Sequence, residues 1–162
     1  MLTTSQLQSL KADILADGVL SAKPMTYNGA MDIANAYAQN ASPDYFVWRS
    51  SVSVNEITQA TSFDWTRVDN LSVGKARIWD WMTRLGTFNP SNANIRAGID
   101  ATWVGTSADL TVRAAVCAVC YRKANRLEKL FATGSGSSAT PSIMSLEGTI
   151  TVDEVQQARE MA

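Results

Sequence analysis

Histidine is absent from all 162 residues. That one gap excludes every histidine-based catalytic triad, acid–base pair and metal site. Catalysis by carboxylate, lysine or cysteine stays open. Cysteine is scarce: Cys117 and Cys120 form a single CxxC, with no second pair to complete a four-ligand zinc site. No apolar run is long enough to span a bilayer. The opening MLTTSQLQSLKAD lacks a basic start, an apolar stretch and a cleavage site, so no signal peptide is expected and a reducing cytoplasm is the expected compartment. The glycines of ATGSGSS follow a helical pattern and do not spell a phosphate-binding loop.

What remains is a chain with 46% hydrophobic residues, enough for one domain with a real core. Its near-neutral total of −1 hides an uneven spread. Residues 1–74 carry four basic and seven acidic side chains, residues 75–129 nine and four, and residues 130–162 one and four. A basic centre between acidic ends attracts another copy of the chain or a polyanion, or is neutralised within one fold.

Helical signals dominate the sequence. Thr3 and Gln6 form a capping box inside a Leu2–Leu7 staple, and Leu7, Leu10, Ile14 and Leu15 share a face, with Gly18 as the terminator. Asn28 is placed to cap a second helix carrying Ile33, Ala34 and Tyr37. Residues 44–55 read as an extended aromatic arm. Ser53 and Glu56 open a short helix, and DWTRVDNL is one further turn. Ser72 to Gly86 bound a helix with Ile78, Trp81, Met82 and Leu85 on one side. Ser91 starts another, with Ile95, Ile99 and Trp103. The longest helix is expected over roughly 108–132. Composition makes SGSSATPS a flexible linker, and IMSLEGTI allows one short strand. Thr151 and Glu154 cap a last small helix. The reading is an all-α fold: a multi-helix core over 1–133 with an extended arm near 44–55, and a flexible C-terminal linker and docking tail over 134–162.

Within the long helix Cys117 falls on the apolar stripe and Cys120 borders it. A redox CxxC belongs at a helix N-terminus, where the dipole lowers the thiol pKa. Both cysteines are therefore expected to be reduced, metal-free core residues. Arg122, Arg126 and Lys129, with Lys123 beside them, form a basic ridge on that helix. It reads as a contact for phosphate or an acidic partner, or as a solvated face. Trp48 and Trp79 are the interface candidates among five tryptophans; Trp79 and Trp81 point to different sides of one helix. No catalytic, cofactor-binding or metal-binding residue is identified.

ASPDYFVWRSSVSVNEI, NPSNANIRAGI and RLEKLFATGSGSSATPSIMSLEGTITVDEVQQAR together touch most of the chain. Their texture resembles small structural proteins of tailed-bacteriophage heads and tails, most of all the head–tail connector (adaptor) proteins. The resemblance implies a non-enzymatic virion component assembled in the host cytoplasm. It implies a homo-oligomeric ring, commonly of twelve, beneath the portal protein and beside other neck or tail proteins. Such a ring extends the channel and contacts packaged DNA non-specifically; no membrane is involved. The alternatives are another virion part (capsid decoration, tail completion or tail-associated protein) and a small helical nucleic-acid-binding regulator.

Overall fold

The computed structural model describes residues 1–161. Among these, 55% of the chain lies in ten helices and 11% in six short strands, so the fold is mainly helical rather than all-α. The chain forms two compact units. One comprises residues 1–46 with those from 123 onward, the other Val47–Arg122. The boundary expected after residue 133 therefore falls inside the first unit.

The first unit begins with α1 (Thr4–Ala16), α2 (Gly18–Ser21) and α3 (Tyr27–Ala38). The Thr3–Gln6 capping box forms as the sequence indicates, and Leu2 and Leu7 are both buried. Gly18 does not end α1 as a terminator. Asp17 breaks the helix in extended geometry and its carboxylate accepts the N–H groups of Val19 and Leu20, opening α2. Thr26, not Asn28, caps α3.

The chain leaves the first unit through β1 (Phe46–Trp48), and the second unit follows with β2 (Val52–Ser53), α4 (Val54–Thr58), α5 (Trp65–Asp69) and α6 (Val73–Thr83). Then come β3 (Thr87–Phe88), α7 (Ala93–Thr102), α8 (Ser107–Cys120) and β4 (Tyr121–Lys123), which returns the chain. β2 and β3 pair antiparallel, Val52 opposite Phe88, and β1 pairs with β4. The segment expected as an arm is thus strand, with Val47 and Val52 fully buried. The core of this unit is an aromatic cluster. Phe63, Trp79 and Trp103 lie with ring centroids 5.2–6.1 Å apart, and Ile57, Ile99, Val112 and Val116 close around them. Asn92, one residue past the expected Ser91, caps α7.

The remainder of the first unit holds α9 (Arg126–Phe131), β5 (Ala132–Thr133), β6 (Ile143–Met144) and α10 (Val152–Glu160). The single helix expected over 108–132 is broken. Tyr121 adopts extended geometry, the Ala124 N–H donates to the Tyr45 carbonyl, and the Ala41 N–H donates to the Ala124 carbonyl. Backbone pairing with a distant segment replaces the helical bonds that 121–125 would make locally. Asn125 then restarts the helix through a capping box with Glu128. The expected tether is held in place. The Phe46 N–H donates to the Gly136 carbonyl, the Ser142 N–H to the Phe46 carbonyl, and the Tyr45 hydroxyl to the Gly134 carbonyl. Gly136 is required there: at φ 66° a Cβ would sit 2.1 Å from the Tyr45 ring. α10, expected as a docking tail, is core. Val155 and Ala158 are buried with Leu7, Leu10, Ile14, Ile33 and Tyr37.

Candidate functional site

The break after Cys120 divides the expected basic ridge. Arg122 and Lys123 belong to β4, Arg126 and Lys129 to α9, so no single helix face carries all four. Lys123 Nζ lies 2.7 Å from Asp44 Oδ2. Lys129 sits over the Tyr45 ring, 5.7 Å from its centre.

Arg126 lines a cleft of about 680 Å3 within the first unit, with Asp13, Asp17, Asn40, Ser42 and Lys129 beside Ala36, Ala41 and Leu130. The two carboxylates stand one helical turn apart at the end of α1. Arg126 Nη2 donates to Asp13 at 2.9 Å and Nη1 to Asp17 at 2.7 Å, and its guanidinium lies 4.8 Å from the centre of the Tyr37 ring. The Tyr37 hydroxyl donates to the same Asp13 oxygen. Burial, then the bond to Asp13, pushes the Tyr37 hydroxyl far above the ordinary tyrosine range, so it stays a donor. Burial works against the Arg126 charge, but the bonds to Asp17 and Asp13 outweigh it and raise its pKa. The Arg126 bond and the N–H groups of Leu20 and Val19 hold Asp17 below the usual carboxylate range. Each charge in this network is committed to a neighbour, and the result is a clamp joining α9, α1 and α3. Sequence spacing found Arg126 but not Asp13, Asp17 or Tyr37, which lie about a hundred residues away along the chain.

The tryptophans sort differently from the expectation. Trp48 is half-buried, edge-on to Tyr121 and beneath Arg96. Trp79, an interface candidate, is only 7% exposed and belongs to the core of its own unit. The exposed tryptophan of α6 is Trp81, at 75%, in a row with Ile78 (38%) and, just past the helix end, Leu85 (85%). Those three were expected to face inward. The helix is turned because Trp79 fills the space beside Phe63 and Trp103, and because Met82 enters the gap at Gly98 of α7, where a Cβ would lie 2.5 Å from its sulfur. The sequence reads that stripe, with Met82, as the helix's apolar side and leaves Trp79 on a different one.

The cysteines occupy the last turn of α8. Cys120 is fully buried and Cys117 half-buried, the reverse of their expected order. Burial pushes the Cys120 thiol up to about 12 and raises Cys117 as well, aided by Asp100. Neither favours the thiolate needed for nucleophilic or redox chemistry. Comparison with protein-family models, curated proteins and solved structures returned no match to this chain.

Proposed function

We propose that the protein is a non-enzymatic structural subunit of a tailed-phage particle, a head–tail connector that assembles as a ring under the portal. The observation that carries this reading is the stripe of Ile78, Trp81 and Leu85. It is an apolar surface left open on a unit whose core is already closed around Trp79. Exposed aromatic and aliphatic side chains in one row mark a protein contact rather than a reaction centre. The sequence resemblance supplies the particle and the portal as partner, and the ring extends the DNA channel.

The regulator reading has less support. Lys123 and Arg126 are matched by Asp44, Asp13 and Asp17, which reduces the net positive charge a phosphate backbone would meet. Sedimentation of the chain with purified portal tests the proposal. Co-sedimentation as a discrete complex is expected; independent sedimentation at micromolar concentrations of both would overturn the portal assignment.

A further inference from the structure

In the first unit α1, α2, the loop before α3 and α10 meet around a small pocket of about 160 Å3. Its apolar walls are Ile14, Leu15 and Met25. Ile14 is 2% exposed and forms the buried wall, while Leu15 and Met25, at 63% and 65%, leave the pocket open to solvent. Lys11, Lys23 and Arg159 line the same space, and among the described residues no carboxylate does. Main-chain carbonyls hold two of these cations in place without neutralising them. Arg159 donates to the carbonyls of Pro24 and Lys23 at 2.9 and 2.6 Å, and Lys11 donates to that of Met161. Lys23 is paired with Asp32 at 2.8 Å. An ammonium or guanidinium carries more N–H groups than these bonds use, so donors remain on every cation. Three cations against one paired acid leave the site positive.

We infer that this pocket binds a short amphiphilic anion: one carboxylate or phosphate head on a hydrocarbon stem of about six carbons. The volume sets the stem, since a dry apolar cavity of about 150 Å3 takes one benzene ring. The rim sets the head. Cations beside apolar walls attract an anion more strongly than cations surrounded by water. Their anchoring by backbone carbonyls reduces the ordering cost of binding. The backbone of duplex DNA would meet the charge but leave Ile14, Leu15 and Met25 wet. A second cation would be repelled, and a neutral hydrocarbon would leave the charge unused. Walls and rim all belong to the first unit, so this site stands whether or not the chain is a connector.

The test is a methyl NMR titration of the full chain, read at Ile14, Leu15 and Met25. Hexanoate and hexyl phosphate are the probes, with 1-hexanol and hexylammonium as controls. At least one anion should give saturable shifts at all three residues with a Kd of about a millimolar, the range open to so small a ligand. The tighter of the two identifies the head group. Shortening the stem to butanoate should weaken binding about fifteenfold relative to hexanoate, at about fourfold per methylene. Hexanol should bind at least about threefold more weakly than the tighter anion, and hexylammonium should not saturate. Lys11→Gln combined with Lys23→Gln should weaken the anion about tenfold and leave hexanol unchanged. Absence of saturable shifts with both anions, hexylammonium binding as tightly as the anions, or a double variant that holds the anion like wild type would each overturn the assignment.

Discussion

Replacing Val155 by alanine separates a C-terminal helix that is core from one that is a loose tail. Val155 is fully buried on α10 among Leu7, Leu10, Ile14 and Ile33. Truncation removes two methyl groups, worth about 1.6 kcal/mol at about 0.8 kcal/mol per buried carbon, and the residual cavity brings the loss to about 2–3 kcal/mol. In a chain of this size each kcal/mol lowers the melting temperature by about 2–4 °C. The expected fall is therefore about 4–12 °C in the helical signal at 222 nm. The exposed neighbour Gln157→Ala is the control and should shift it by less than about 2 °C. All five tryptophans lie in the other unit, so indole fluorescence reports that unit by itself and shows which transition the substitution moves. A Val155→Ala protein that melts with wild type would refute the burial argument and restore α10 as a tether.

Trp79→Ala should cost about 3–5 kcal/mol and disturb the second unit, whereas Trp81→Ala should leave the melt within about 0.5 kcal/mol of wild type; equal effects would contradict the observed phase of α6. Asp109 is held at about 2 by the Arg67 hydrogen bond and then by Thr106. A depressed carboxylate binds fewer protons folded than unfolded, so its contribution is complete above pH about 4 and is lost as pH falls towards 2. Asp109→Asn should flatten that acid limb of the stability curve and leave its shape above pH 5 unchanged, as read by denaturant titration at stepped pH. Cys120, with its thiol pushed up to about 12, should resist alkylation at pH 8 in the folded chain and react at once in denaturant. Rapid labelling of the native protein would show that the site is open.

The parts of this fold visible in the sequence are those fixed locally. Thr3–Gln6, Ser53–Glu56 and Thr151–Glu154 all form capping boxes because each needs only four neighbouring residues. The run from 108 to 132 looked continuous because each residue in it tolerates a helix. Its break comes from backbone bonds to Tyr45 and Ala41, which no local pattern encodes. Arg126 was visible as a cation, but its partners Asp13 and Asp17 are 113 and 109 residues away. The α6 helix offered two apolar faces, and packing against Phe63, Trp103 and Gly98 chose between them. α10 looked like a tail because it is short and polar overall, with Val155 and Ala158 as its fully buried residues.

The most direct measurement of the central claim is copy number in purified particles by quantitative peptide mass spectrometry, with portal as the internal standard. A connector ring should appear at close to one copy per portal subunit. Hundreds of copies per particle would indicate a capsid decoration protein, and absence from the particle would contradict a virion role altogether.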